Sequence, residues 1–104
     1  MTFTGNEPHD ITLTEAANMT KNYRDTIPSG DTIAHYFGKK AIKDLLKQEH
    51  CVGMRIYYGL DDNGAKQLII TGVDASGNDL YNGQLAERSV KCPLHCGVAN
   101  PLNS

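Results

Sequence analysis

The stretch between residues 52 and 73 constrains this chain more than any other. Val52, Met54, Ile56, Tyr58 and Leu60 alternate with Gly53, Arg55, Tyr57 and Gly59, the period-two signature of a half-buried strand. Asp62-Asn-Gly64 then marks a turn. Lys66 to Val73, centred on Leu68-Ile-Ile-Thr71, reads as the return strand of a hairpin. Asp74-Ala-Ser-Gly-Asn-Asp79 predicts a second turn, with Leu80 to Leu85 as a third strand. The segments Gly59-Leu-Asp-Asp-Asn-Gly64 and Gly72-Val-Asp-Ala-Ser-Gly77 share the form Gly, aliphatic, Asp, two residues, Gly. Two successive strands therefore end alike, as in a β-meander with similar turns.

Upstream the period changes to 3.6. Thr12-Leu-Thr-Glu15 has capping-box spacing. Behind it Leu13, Ala16, Ala17, Thr20 and Tyr23 share one face of a short amphipathic helix, which Pro28-Ser-Gly30 stops. From Gly38 to about Glu49 a second helix carries the apolar stripe Ala41, Ile42, Leu45 and Leu46. Between them, residues 31–37 fit two patterns: Ile33, His35 and Phe37 alternate like a strand, while Asp31 suits a helix cap. After Cys92, the residues Pro93, Gly97 and Pro101 predict an irregular C-terminal tail. The expected fold is α+β, with two short amphipathic helices packed on one face of a small antiparallel β-meander.

At 104 residues, 39% apolar and 21% charged, the chain suits one globular domain over residues 11–104, with residues 1–10 as a flexible lead-in. The formal net charge of -2 supplies no global field for a nucleic-acid backbone or an anionic membrane. Lys39, Lys40, Lys43 and Lys47 form a basic stripe on the second helix, which reads as a solvated face rather than a nucleic-acid site. The start of the sequence has neither the basic patch nor the apolar run of a secretory signal, which points to the cytoplasm.

Chemistry concentrates at the other end. Cys92-Pro-Leu-His-Cys96-Gly97 places two thiols and an imidazole, His95, within five residues, and His50-Cys51 has the donors to complete a tetrahedral zinc site. The cysteine spacing of three intervening residues departs from the zinc-knuckle pattern. The same pair suits a dithiol–disulfide couple if the backbone turns sharply at Pro93. An odd total of three cysteines in a reducing compartment argues against a disulfide scaffold. The lack of a matching second ligand pair favours free thiols over zinc, and the place of the pair in a terminal tail after an antiparallel sheet, rather than at a helix N-terminus in a βαβ unit, favours them over a redox couple. Asp61, Asp62 and Asn63, or Asp74, Ser76, Asn78 and Asp79, offer oxygens for calcium, but the closing carboxylate of an EF-hand loop is absent from both runs. Turn chemistry accounts for them. Tyr57, Tyr58 and Tyr81 with Arg55 suit either a sheet-face binding surface or ordinary strand packing. No Walker loop, dinucleotide fingerprint, nucleophile elbow or His-Glu-x-x-His motif occurs.

Tyr36-Phe-Gly38, the run from Cys51 through Gly59, Cys92-Pro-Leu-His-Cys96-Gly97 and Asn100-Pro-Leu102 together resemble a set of small bacterial proteins with a C-terminal Cys-Pro-x-x-Cys-Gly tail. The resemblance spans most of the chain and implies a stand-alone bacterial protein, with no activity and no catalytic residue attached. The expected function is a non-enzymatic module that binds a protein partner or itself. The alternative is a thiol-redox or zinc protein using Cys92 and Cys96.

Overall fold

The computed structural model describes residues 2–104. In chain order the elements are α1 (Leu13–Arg24), β1 (Ala34–Tyr36), α2 (Lys39–Leu46), β2 (Gly53–Leu60), β3 (Lys66–Val73), β4 (Leu85–Ala86) and β5 (Val90–Cys92). The α+β class expected from the periodicities is the class observed. The described residues fall into two compact units. One comprises residues 2–7 with Phe37–Ser89, and the other Pro8–Tyr36 with Val90–Ser104.

The first unit is built on the hairpin. Its antiparallel sheet has the order β2-β3-β4, and β2 and β3 pair without interruption from Gly53 opposite Val73 to Leu60 opposite Lys66. The sequence echo becomes a structural one. Asp61 and Asp74 each accept two backbone N–H groups on Oδ1, from Asn63 and Ala65 at 2.9 Å and from Ser76 and Asn78 at 3.0 and 2.9 Å. Gly64 and Gly77 then take φ of 80° and 84°, a backbone region that glycine enters without steric cost. The carboxylates are turn acceptors.

The third strand is shorter and later than the sequence predicts. Leu80 to Leu85 is mostly turn, with Gly83 N donating to Leu80 O at 3.0 Å and Leu80 N to Gly72 O at 2.8 Å. Beyond an isolated bridge of Asp79 to Val73, the strand pairing with β3 is made by Leu85 and Ala86. The reason is a side chain in the turn just past α2. Gln48 Oε1 accepts the Gln84 N–H at 2.9 Å, which occupies a donor that a longer strand would direct into the sheet.

Leu45 of α2 is 0% exposed and lies at the centre of this unit, with Ile70, Thr71 and Val73 of β3 also buried. α2 packs against β2 and β3, and it ends at Leu46, the last residue of the stripe, short of the expected end near Glu49. An eight-residue helix is about 12 Å long, whereas an eight-residue strand runs about 27 Å. The helix therefore covers one end of the sheet. Residues 2–7, expected as a lead-in, contribute Phe3, whose N–H donates to Ala75 O at 2.8 Å and whose ring lies against Gly77.

The second unit holds α1 and the two-stranded pair β1-β5, in which Ala34, His35 and Tyr36 oppose Cys92, Lys91 and Val90. The strand reading of residues 31–37 is the one realised. α1 begins with the predicted capping box: the Thr12 hydroxyl accepts from Glu15 N at 3.1 Å, and Glu15 Oε1 from Thr12 N at 3.3 Å. It buries no residue fully. Membership of α1 in this unit departs from the expectation that both helices cover one sheet face. The tail after Cys92 is irregular, as predicted, with turns and no further strand or helix among the described residues. Arg24 Nη1 donates to Leu102 O at 2.7 Å. No helix among the described residues is long and apolar enough to cross a membrane.

Candidate functional site

β2 stands at an edge of its sheet, with β3 as its one strand neighbour. The sequence predicts a half-buried strand, yet beyond the reach of α2 the face is open. On it Tyr58 is 94% exposed, Leu60 71% and Ile56 50%, while Tyr57 on the opposite face is 46% exposed. Natural edge strands are usually short, or carry lysine, proline or a bulge that discourages pairing. β2 has none of these.

Its one charged residue, Arg55, is engaged within the unit. Arg55 Nη1 lies 2.5 Å from Asp79 Oδ1 and donates to Gly77 O at 3.1 Å, and its guanidinium sits 5.9 Å from the Phe3 ring centroid, the outer limit of a cation–π contact. The Tyr57 hydroxyl donates to Asp79 Oδ2. This donation, followed by the Arg55 guanidinium, holds the Asp79 carboxyl below its usual pKa, while the carboxylate raises that of Tyr57. From sequence, Arg55 and Tyr57 suit either a binding surface or ordinary strand packing and Asp79 reads as a turn residue, because its partners lie 24 and 22 residues upstream.

A group whose folded pKa is depressed stabilises the fold above its unfolded pKa, about 3.9 for aspartate, and that contribution fades as pH falls through the folded value. Tyr57→Phe should therefore move the Asp79 carboxyl pKa upward, toward the ordinary value, in a carboxyl-carbon NMR titration. It should also reduce the stability that acid removes, because the Asp79 carboxylate then contributes less above its unfolded pKa. An unmoved Asp79 titration would mean that the hydroxyl does not hold the carboxylate.

Beside this cluster, Gln48, Glu49, Asp79, Leu80, Tyr81, Asn82 and Gly83 line an open cleft of about 360 Å³. Both Asp79 oxygens face partners already named, and Gln48 is committed through Nε2 to Leu45 O at 2.8 Å and through Oε1 to Gln84.

The metal candidates are distributed between the units. His50 and Cys51 belong to the first, and Cys92, His95 and Cys96 to the second. His50 sits at φ 68° in the turn after α2 with its side chain solvent-exposed, and the half-buried Cys51 directs its thiol to Gly53 O at 3.1 Å. Cys92 and Cys96 are joined in a disulfide with Cα atoms 4.7 Å apart, where the sequence favours free thiols. Sulfurs bonded to each other are not thiolate ligands. Among the described residues no group of three or more His, Cys, Asp or Glu is placed to hold a metal ion.

The lysine stripe also carries an anion that sequence reading passed over. Asp44 receives Lys40 Nζ at 2.7 Å and Lys47 Nζ at 3.1 Å. Those hydrogen bonds hold the Asp44 carboxyl below its usual pKa. The stripe is thus partly neutralised on its own helix.

Comparison with protein-family models, curated proteins and solved structures finds no match to this chain.

Proposed function

We propose that this chain is a non-enzymatic protein-binding module of the cytoplasm whose partner is a second copy of itself, joined edge to edge through β2. The observation that carries this reading is the exposed apolar edge strand, uninterrupted over eight residues and with its single charge already paired.

The occupant follows from the order of residues along β2. Antiparallel self-pairing about Tyr57 sets Ile56 opposite Tyr58 of the other copy, Met54 opposite Leu60, and Arg55 opposite Gly59. Apolar groups then meet apolar groups, and the cation meets a glycine rather than its own copy. Opposed residues in an antiparallel pair share a face, so Met54, Ile56, Tyr58 and Leu60 of both strands form one continuous patch. Such a contact is isologous and closes on a two-fold axis, which limits it to a dimer. The product is a six-stranded sheet, a common size. Aromatic–aliphatic cross-strand pairs contribute roughly 0.2–1 kcal/mol each, in addition to the main-chain hydrogen bonds.

Tyr58→Lys tests the assignment. The side chain is almost wholly exposed in the single chain, so the substitution should shift folding stability by no more than about 0.5 kcal/mol. Sedimentation equilibrium should show a parent dimer and a variant whose dissociation constant is raised about tenfold or more, because the dyad places two introduced lysines near each other. A parent that stays monomeric at high micromolar concentration, or a Tyr58→Lys variant that dimerises as well as the parent, would refute the pairing.

A further inference from the structure

We propose that the Cys92–Cys96 disulfide is a thiol–disulfide exchange site of fixed polarity, in which Cys96 takes up the incoming thiol and Cys92 resolves the mixed disulfide. It lies in the second unit and uses none of the residues of the β2 edge.

The polarity comes from the unequal setting of the two sulfurs. Cys92 ends β5 and is 6% exposed. Its carbonyl accepts the Ile33 N–H at 2.8 Å, and its Cα pairs with Ala34 across the ladder. Cys96 is exposed, four residues further along a turn in which His95 N donates to Lys91 O at 3.0 Å. Exchange requires a thiolate to reach one sulfur of the disulfide, and access selects that sulfur. Solvent reaches Cys96. Between the cysteines Leu94 is 91% exposed, which gives the approach to Cys96 an apolar edge.

Two further features favour cycling over a purely structural bond. The ring closed by the disulfide is very short, and short loops constrain the unfolded chain least. β5 is also held by backbone hydrogen bonds to β1, so its register does not depend on the sulfur bridge. In the cytoplasmic setting proposed above, disulfides are typically transient, serving catalysis or sensing.

The chemistry balances with thiols alone. A thiolate attacks Cys96 Sγ, forming a mixed disulfide as the Cys92–Cys96 bond breaks. The electron pair of that bond leaves on Cys92 Sγ, which takes a proton from water. A second thiolate then attacks the substrate sulfur of the mixed disulfide and releases Cys96 as a thiol. Two substrate thiols become one disulfide, and the protein disulfide becomes a dithiol. Run in reverse, the reduced pair reduces a substrate disulfide.

The test uses glutathione as the thiol. In the reduced parent, a brief iodoacetamide pulse followed by peptide mass mapping should find Cys96 alkylated about tenfold faster than Cys92. With oxidised glutathione, Cys92→Ser should accumulate a glutathione adduct on Cys96. Cys96→Ser should acquire one on Cys92 far more slowly, and the parent should return to the intramolecular disulfide without a lasting adduct. The alkylation measurement on the parent decides the question even if a variant fails to fold. Equal alkylation of the two cysteines would overturn the proposal. So would a disulfide that millimolar reduced glutathione leaves intact over hours, or stoichiometric zinc that stays with the reduced protein through dialysis.

Discussion

Leu45→Ala should lower the folding free energy by about 2–5 kcal/mol, read as a fall in the denaturant midpoint at unchanged slope. Leu45 is the one fully buried large side chain among the described residues, and it belongs to the helix that covers β2 and β3. Truncation removes the transfer free energy of the lost methyl groups and leaves a void that a short helix closes only in part. Against a total stability of about 5–15 kcal/mol for a typical domain, such a loss is large. Leu46→Ala, one residue along the same helix and 42% exposed, should cost far less. Equal effects at the two positions would mean that α2 presents a different face to the sheet.

Gly72→Ala should destabilise the protein by about 1–3 kcal/mol, through overcrowding rather than loss of contact. A Cβ at this position would stand 2.9 Å from Gln48 Nε2, 3.0 Å from Cys51 Sγ and 3.3 Å from Leu80 Cδ1. Gln48 has little room to yield, because its amide ties Leu45 O to Gln84 N and also stands where a Cβ of Gly83 would lie. Gly53→Ala is the control, since a Cβ there meets nothing within 4 Å. Placing Gly72→Ala in a Gln48→Ala background should recover part of the loss, and the coupling in that double-mutant cycle measures the crowding. Additive effects would show that Gln48 is not what Gly72 accommodates.

The second expectation could not have come from the sequence. Gly72 sits in an apolar run and reads as a weak point of a strand, and Gln48 reads as a polar residue near the end of a helix. Their relation exists because the hairpin brings residue 72 beneath residue 48, and nothing in local sequence encodes that distance. The same holds for Asp79, which reads as one of several turn residues until β2 brings Arg55 and Tyr57 to it. The β2 edge was half legible. Alternation located the strand and its apolar face, but whether that face is covered depends on the length of α2, which stops at Leu46 although the apolar and polar pattern runs on toward Glu49. The cysteines were legible as a reactive pair and were expected as thiols. Their pairing depends on the turn that brings Cys96 back toward the end of β5.

By itself the sequence determined what short-range physics determines. These features are the capping box at Thr12 and Glu15, the helical stripe with Leu45 at its centre, the hairpin from residues 53 to 73, and the two Asp-x-x-Gly turns with their positive-φ glycines. The capping box, the stripe and the turns each depend on residues within a few positions of one another, and the hairpin on adjacent strands joined by one such turn, where periodicity and local hydrogen bonding leave few alternatives. Only the tertiary structure decided which strand became an exposed edge, which carboxylate holds Arg55, that α1 and α2 belong to different units, and that β5 pairs with β1 across some fifty residues of chain. Those outcomes come from contacts between residues far apart in sequence, where the deciding quantities are the lengths of packed elements and the side chains that meet between them.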